Sequence, residues 1–301
     1  MTPTQLAKLL EHTNAPAAHT KVVRANGQSK LQIVSGSTTV VTKPSGIGLE
    51  IHVSDNTPFE VIDLPVLITQ SGFNEMVEND FFIGANSNVV ILAACGICHN
   101  GCASSSHSGV HKFVVGQNAK LKYVEKHYAN GAGEKIINPT SQIKLATGAE
   151  MIIETAQLEG VDQAKRITQA SLGRNSRLEI SERILTSKRQ TASTLFTSKI
   201  AADGASLKIS SRSVATDNST QQFTSRITGK AHCFAHVECD AIVKDNGQVA
   251  AKPEIFAQNP DANLIHEASI GKIAGEQLIK LMTLGIDQPT AEKIIIEGFL
   301  R

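Results

Sequence analysis

The sequence contains no tryptophan and few aromatic residues of any kind. Its 301 residues include 2 tyrosines and 10 phenylalanines, and aromatic residues make up 4% of the chain. Charge is nearly balanced, with 29 Lys and Arg against 28 Asp and Glu. Proteins that bind nucleic acid commonly combine a basic stripe with aromatic rings on which bases stack. The composition therefore argues against nucleic acid as a partner.

Long apolar runs are also missing. No uninterrupted apolar stretch approaches the roughly 18 residues that a membrane-spanning helix needs. The first residues, MTPTQLAKLLEHTNA, do not show the charged flank and apolar core of a signal peptide. We therefore expect a soluble, cytoplasmic protein with no membrane association. Its five cysteines cannot all pair within one chain, and a reducing compartment would keep them as thiols available for metal chemistry.

Turns that begin with glycine recur along the middle of the chain. Each leads into a run such as LKYVEKHY, MIIETAQL or LEISERILT, which alternates apolar and polar residues or is rich in β-branched ones. Such runs are typical of half-buried strands. Several starts lie about 25 to 32 residues apart, a spacing that favours the coils of a mainly β solenoid over a sandwich. The turns begin at Gly84, Gly116, Gly148, Gly173, Gly204 and Gly247.

Both ends of the chain are predicted to be helical. Residues 1–15 form a short helix in which Thr2 is the cap and Pro3 the first residue. Residues 266–301 form a C-terminal segment of two helices, the first ending at Gly285 and the second starting at Asp287 with Pro289 in its first turn. The apolar faces are Leu6, Leu9 and Leu10 in the first helix, and Leu278, Leu281, Met282, Ala291, Ile294 and Ile295 in the C-terminal pair.

The C-terminal apolar side chains allow two interpretations. They could cover the open end of the solenoid, so that no core or sheet edge is exposed. Alternatively, they could form a docking surface for a partner protein. The sequence pattern alone leaves both open.

Thiol, imidazole and carboxylate groups concentrate in the stretch from His232 to Leu278. These are ligand types that iron and sulfide accept. If residues 236–241 form a strand, Cys239 points to the opposite side from His236, Glu238 and Asp240. Cys233 shares the parity of Cys239 but lies roughly 20 Å away along an extended strand, so a second thiol would have to come from elsewhere.

A second group of potential ligands lies upstream. Only four residues separate Cys102 from His107, where a zinc finger needs about twelve. A ferredoxin-type loop would need a fourth cysteine. Asn100, Gly101 and a serine run predict a flexible, exposed loop, which either binds iron or a cluster transiently or packs its histidines against the solenoid. The candidate ligands are Cys95, Cys98, Cys102, His99, His107 and His111.

Three runs resemble the end of the SufB/SufD family, the scaffold proteins on which iron-sulfur clusters are assembled. They are GxAxCxxHVECDAI, KPEIxAxxPDAxLIHEASIGKI and GEQLIKLMTLGI. The resemblance extends through Phe81 to Tyr128 and Ser211 to Ala231, and it covers most of the chain beyond about Phe59. The chain looks like the short, minimal form of the family.

The resemblance implies a fold, a site and partners. The fold would be a right-handed parallel β-helix, here over residues 16–265. Cys239 matches the cysteine held essential for cluster assembly, and His266 and Glu267 match the neighbouring histidine and glutamate. We expect Glu267 to stack close to Cys239 one coil above it. A transient iron-sulfur cluster, built from iron and sulfide, would be held weakly by these groups, because a carboxylate or imidazole in place of a thiolate is easier to vacate.

In the family, the C-terminal segment binds an ABC-type ATPase that resembles SufC. The chain has no GxxxxGK[ST] motif, so it should bind no nucleotide itself. The other expected partners are a second copy of the chain or a related scaffold subunit, a sulfur donor and apo acceptor proteins.

Other classes of protein fit less well. A β-helix enzyme that cleaves polysaccharide would need aromatic subsites and a signal peptide, and a permease subunit of an ABC transporter would need membrane spans. An accessory subunit without its own cluster site is a further alternative. We expect a scaffold rather than an enzyme.

Overall fold

The computed structural model describes residues 17–301, with the side chain of Glu159 excepted. The helix predicted over residues 1–15, including Thr2, Pro3, Leu6, Leu9 and Leu10, lies outside the described residues.

The described chain winds as a parallel β-solenoid with two ten-stranded sheets facing each other across one core. Strand β14 (Arg177–Thr186) illustrates why, because every second residue from Leu178 to Thr186 is buried while the residues between them are not. A period of two places one side of each strand in the interior. The mainly β solenoid predicted from the sequence is confirmed.

Sheet 1 has the strand order β2-β1-β5-β7-β9-β12-β14-β16-β18-β20. All pairs are parallel except the first, β1 with β2. Its strands are β1 (Thr20–Ala25), β2 (Gln28–Ile33), β5 (Glu60–Ile68), β7 (Asn88–His99), β9 (Lys120–Gly131), β12 (Glu150–Glu159), β14 (Arg177–Thr186), β16 (Ser206–Ala215), β18 (Phe234–Val243) and β20 (Asn263–Gly271).

Sheet 2 has the order β19-β17-β15-β13-β10-β8-β6-β4-β3, with β11 also placed between β13 and β8. Only β3 and β4 pair antiparallel. Its strands are β3 (Thr38–Thr42), β4 (Leu49–Val53), β6 (Asn74–Ile83), β8 (Ser105–Val115), β10 (Lys135–Ile137), β11 (Thr140–Leu145), β13 (Gln163–Leu172), β15 (Thr191–Ile200), β17 (Thr220–Gly229) and β19 (Gln248–Ala257).

Successive coils stack in register. Leu121 lies across from Met151, Met151 from Leu178, and Leu178 from Leu207. One coil therefore carries the chain from each of these residues to the next, which confirms the predicted spacing. Residues that share an interior position in neighbouring coils can be read directly from this register.

Asparagines stabilise one corner of the solenoid. Asn56, Asn86 and Asn118 have φ angles of 57°, 56° and 55°, in the left-handed region that asparagine tolerates better than most residues. Asn86 Nδ2 donates to Asn56 Oδ1 at 3.0 Å, and Asn118 Nδ2 donates to Asn86 Oδ1 at 3.4 Å. The side chains thus form a ladder that holds successive turns in register.

The core near the first coils contains both aromatic and polar side chains. Near the first coils it contains a ring cluster in which Phe113 stacks on Phe81 and meets Tyr123 edge-on, each with centroids 4.9 Å apart. All three rings are almost fully buried, and burial of a large apolar side chain is worth about 1.5–3 kcal/mol. Polar and charged side chains share the interior with this cluster, and they form the candidate site described below.

Two helices follow the last strand: α1 (Gly275–Thr283) and α2 (Gln288–Phe299). Gly285 follows α1 with φ 84°, and Asp287 is the N-cap of α2, as predicted, although its side chain makes no capping hydrogen bond. Strand β20 extends to Gly271, beyond the predicted boundary at residue 265. His266 therefore lies in the last strand, outside the helical segment.

The helices pack on the outer surface of sheet 1. Leu300 clusters with Val214 of β16 and Ile242 of β18. The end strands β19 and β20 stay largely exposed, so the interpretation of the helices as a cover for the open end is wrong. The orientation predicted for α2 is right for Ala291, which is fully buried, and wrong for Ile294, which is 43% exposed. The apolar contact with sheet 1 is made by Ile296, Phe299 and Leu300, which follow Ile294, and by Ile273, which precedes α1.

No helix among residues 17–301 is long and apolar enough to cross a membrane.

Candidate functional site

Cys239 is a buried thiol inside the solenoid. It lies in β18, its side chain is 1% exposed, and its ladder neighbours are Ser211 on β16 and Ala268 on β20. Burial, together with the negative charges of Glu182 and Asp240, raises its pKa to about 12. The thiol is therefore protonated at neutral pH and is not reactive in this conformation.

Glu267 projects to the other side of the sheet. It lies across from Glu238, and its side chain is 66% exposed. Its Oε2 atom is 3.4 Å from Nε2 of His236. The expectation that Glu267 stacks close to Cys239 is wrong, because the register places Ala268 beside Cys239 and the pleat turns Glu267 outward.

His266 belongs to the interior side, like Cys239. It lies across from the fully buried Val237. Both of its ring nitrogens are inaccessible to solvent and have no hydrogen-bond partner among residues 17–301. Burial, followed by the nearby His236, lowers its pKa, so the imidazole is neutral at pH 7 with a free lone pair. A neutral imidazole is the form that binds metals.

A row of polar side chains leads through the interior to Cys239. Reading along sheet 1, Glu125, Thr155, Glu182, Ser211 and Cys239 are successive ladder neighbours, one per coil. Ser211 Oγ donates to Glu182 Oε2 at 3.1 Å. We call these five residues the interior row. Sequence reasoning missed its acidic members, although a signal exists: Glu182 occupies an inward position in the alternating run LEISERILT.

Arg166, from the opposite sheet, ties the interior row together. Its guanidinium lies 2.8 Å from Glu125 and 3.4 Å from Glu182. Burial by itself would raise the pKa of Glu125, but Arg166 and His127 hold that pKa well below its usual range. Burial dominates at Glu182 and raises its pKa, even though Arg166 and the hydroxyls of Thr194 and Ser211 oppose the shift. Arg166 therefore compensates the buried carboxylates, and separating these ion pairs would cost free energy.

The upstream cysteines do not lie in a flexible loop, contrary to expectation. Cys95 and Cys98 are inside strand β7 and are each 4% exposed. They pack in separate apolar clusters, Cys95 with Ile97 and Cys98 with Ala94. Only Cys102, in the short turn before β8, is exposed. The apolar run VVILAACGIC explains the burial, because it continues the strand through both cysteines.

The upstream histidines also belong to the fold. His99 Nδ1 lies 3.0 Å from the carbonyl of Gly101, and His107 Nδ1 lies 3.4 Å from Oε2 of Glu75. His111 is buried, and burial lowers its pKa to about 4 although Glu125 acts in the opposite direction. An added Cβ at Gly109 would lie 3.1 Å and 3.3 Å from the Nε2 atoms of His111 and His107, so glycine gives both rings their space.

The structure thus brings together part of the predicted upstream set. Cys95, His107 and His111 line one interior cavity with Arg24 and Glu125, with a volume of about 30 Å³. That is room for a water molecule or two. Cys98, His99 and Cys102 do not reach it. Within residues 17–301, no three His, Cys, Asp or Glu side chains are arranged to hold a metal ion.

The predicted docking residues differ in accessibility. Met282 and Ile294 are each 43% exposed, whereas Leu278, Leu281 and Ile295 are half-buried. Two residues outside the predicted set are more exposed: Ile279 at 61% and Leu284 at 78%. The helices therefore expose several apolar side chains, while Ile296 and Phe299 of α2 pack against sheet 1.

The fold and its interior thiol define a class: a parallel β-solenoid that encloses cysteine, histidine and carboxylate side chains and carries a helical pair at its C-terminal end. Residues 68–299 match the family described as SUF system FeS cluster assembly, SufBD core domain. The chain belongs to this family.

Archaeal relatives extend the comparison. The chain is 26% identical over 235 residues to an iron-sulfur cluster assembly SufBD family protein of Methanocaldococcus jannaschii, covering 77% of this chain and 74% of the relative. It is 26% identical over 260 residues to one of Pyrococcus horikoshii, covering 85% and 78%. A relative in Archaeoglobus fulgidus is 27% identical over 263 residues, covering 81% and 66%. Family membership associates the chain with iron-sulfur cluster assembly.

Proposed function

We propose that this chain is a scaffold on which an iron-sulfur cluster is assembled and then released, and that Cys239 receives sulfur or ligates the nascent cluster. The observation that carries the proposal is the position of Cys239: a thiol at the end of the interior row, one coil from the open end of the solenoid. His266 lies on the same interior side in the last coil. Thiolate and imidazole are ligands that suit iron.

The site must open before it can work. In this conformation the Cys239 thiol is protonated and shielded, and a thiolate is the form that binds iron or attacks sulfur species. Separation of β20 from β18, or displacement of the last coil, would admit water beside Cys239 and remove the main cause of its raised pKa. Glu267, on the outer side of β20, would then be able to approach as a weak, exchangeable ligand.

A second chain would complete the ligand set. One chain offers no ready three-ligand arrangement among its described residues. Among residues 17–301, no further strand pairs with the outer edges of β19 and β20, and Phe256, Ile265 and Ile270 expose apolar surface there. Unpaired edges with apolar side chains favour association. The proposed assembly is a homodimer, or a heterodimer with a related scaffold subunit, that joins at this open end.

Opening would be driven by a partner ATPase of the ABC type docked on α1 and α2. The exposed apolar side chains of Ile279, Met282, Leu284 and Ile294 support this position. The helices contact sheet 1 at β16 and β18, and β18 contains Cys239. A displacement of α2 would therefore be transmitted to β18, and so to Cys239, through the packing contact between the helix and sheet 1. The chain itself would act as a scaffold and not as an enzyme, with sulfur supplied by a donor protein and the cluster passed to apo acceptors.

Anaerobic reconstitution with iron and sulfide tests the proposal. Cys239→Ser should fold but bind no cluster by visible absorption. Cys233→Ser is the matched control, since Cys233 is also a buried thiol of the same core, and it should retain the cluster. Equal cluster content in the two variants would refute the role of Cys239.

A further inference from the structure

Acidic residues are distributed unevenly over the two sheets. Outward positions of sheet 1 carry charges of both signs, with Lys120 across from Glu150 and Lys122 paired to Glu154 at 2.8 Å. Strands β8, β10, β11, β13, β15 and β17 of sheet 2 contain no Asp or Glu. Nearby acidic residues such as Glu134 and Asp162 lie in the turns that border these strands. On the outside of sheet 2, Lys144, Lys165 and Lys199 therefore have no Asp or Glu on the adjacent strands, whereas Lys112 lies across from Asp80 of β6.

Four exposed lysines project from this part of sheet 2. None of them forms an ion pair with another residue in the range 17–301, whereas lysines of sheet 1 such as Lys122 do. We call the outward side of β8, β11, β13 and β15 the basic face. Its lysines are Lys112, Lys144, Lys165 and Lys199.

Three of these lysines border one open groove with a volume of about 460 Å³. Lys144 lies across from Ser171, and Lys112 lies across from Gln142. Neighbouring strands are about 4.8 Å apart, so the groove presents the three ammonium groups beside rows of amides and hydroxyls. Such an array can bind carboxylates by charge and by hydrogen bonds. The groove is lined by Lys112, Lys144, Lys199, Gln142, Gln169 and Thr197, among others.

We propose that the basic face is an interaction surface for an acidic segment of a partner protein. Charge complementarity identifies the occupant, because Lys144, Lys165 and Lys199 have no Asp or Glu on adjacent strands and are available to a partner's Asp and Glu side chains. Nucleic acid fits less well, since the phenylalanines of these strands, Phe113, Phe196 and Phe223, are all buried and none is available for base stacking. A lipid surface also fits less well, since none of the large exposed apolar side chains lies on these strands.

The surface is distinct from the one that the proposed function assigns to the ATPase. Helices α1 and α2 pack on sheet 1, and no described helix covers the outside of sheet 2. An acidic partner could therefore bind here while the helices are occupied. The inference does not depend on Cys239 or on any bound cluster.

Fluorescence anisotropy with the full-length chain tests the inference. The probe is a fluorescein-labelled peptide of alternating Glu and Ser, compared with a Gln and Ser peptide of equal length. We expect salt-sensitive binding of the acidic peptide only. Lys144→Thr with Lys199→Thr should weaken it at least about threefold, since each exposed charge pair is worth a few tenths of a kcal/mol to about 1 kcal/mol. Threonine suits a strand and already occurs on this surface.

Two further variants control for net charge and for folding. Lys120→Thr with Lys208→Thr removes the same charge from exposed positions on sheet 1 and should bind as the wild type does. Lys144→Arg with Lys199→Arg keeps the charge and should also bind. No binding by the wild type, or equal loss in the sheet 1 variant, would overturn the proposal. Tighter binding of an equally charged single-stranded oligonucleotide, or of phosphatidylglycerol vesicles, would overturn the assignment to an acidic protein.

Discussion

Cys239 and Glu267 lie on adjacent strands of the same sheet and point to opposite sides of it. Cys239 faces the interior beside Ser211, and Glu267 faces outward beside His236. A ligand set that uses both must therefore form at the end of the sheet, where the last strand can move, or between two chains. For the proposed scaffold, this relationship explains why the described residues of one chain contain no ready metal site.

The first prediction concerns Glu267. We expect Glu267→Ala to leave the free energy of unfolding within about 0.5 kcal/mol of the wild type, because the side chain is largely exposed. Iron retention by the assembled scaffold should weaken by about tenfold or more, as for lost groups around other metal centres. Chemical denaturation and iron counting per chain measure the two effects. Glu254→Ala, at a partly exposed carboxylate on sheet 2 that pairs with Arg226, should leave iron retention unchanged.

The second prediction separates the two cysteine groups. A chain with Cys95, Cys98 and Cys102 all replaced by serine should be less stable, because two of the new hydroxyls are buried. Each folded chain should still assemble a cluster that depends on Cys239. Iron and sulfide are counted per folded chain. The control is Cys102→Ser alone, which leaves the buried core unchanged. Cluster loss in the triple variant, with retention in Cys239→Ser, would move the chemistry to the upstream group.

The third prediction concerns the interior row. Glu182→Ala should destabilise the fold by about 3–5 kcal/mol, because it removes a buried partner of Arg166 and leaves Thr194 and Ser211 without their acceptor. Urea unfolding measures the change. Glu179→Ala, three positions earlier on the outward side of β14, should cost less than about 1 kcal/mol. Similar losses in both variants would argue against a special role for the interior carboxylate.

The fourth prediction is a dependence of stability on pH. His111 has a pKa of about 4 in the folded chain, below its ordinary value of 6.5. Between these values the unfolded chain binds a proton that the folded chain does not, so stability is lost as the pH falls from 6.5 towards 4. The loss from this group amounts to about 3 kcal/mol. His111→Phe should reduce the acid sensitivity by that amount.

The fifth prediction concerns ATPase docking. Met282→Ser with Leu284→Ser should reduce co-purification with the ABC-type ATPase and leave the melting temperature unchanged, since both side chains are exposed. Point variants are preferable to truncation after Gly271, because truncation would uncover Val214 and Ile242. Ile152→Ser, at a 41% exposed position on sheet 1, is the matched control. Undiminished binding by the double variant would place docking elsewhere on the chain.

Local pattern was sufficient to predict the solenoid. The alternation in LEISERILT and the glycine-led turns are local properties, and they follow from the pleat and from the backbone angles that tight turns require. The same parity argument correctly placed Cys239 opposite His236 and Glu238. The end of α1 and the start of α2 were also predictable from the local sequence, because Gly285 and Asp287 mark them.

The register between coils could not be predicted from the sequence, and it determines which side chains meet at the candidate site. A shift of one residue in the stacking of β20 on β18 determines whether Glu267 or Ala268 lies beside Cys239, and no local signal reports that shift. Burial of Cys95 and Cys98, and the convergence of Arg166 on Glu125 and Glu182, likewise depend on which strands become neighbours. The sequence by itself determined which residues alternate and where the chain turns, because those depend on near neighbours. Only the tertiary structure decided which side chains meet, because each contact joins residues a full coil apart.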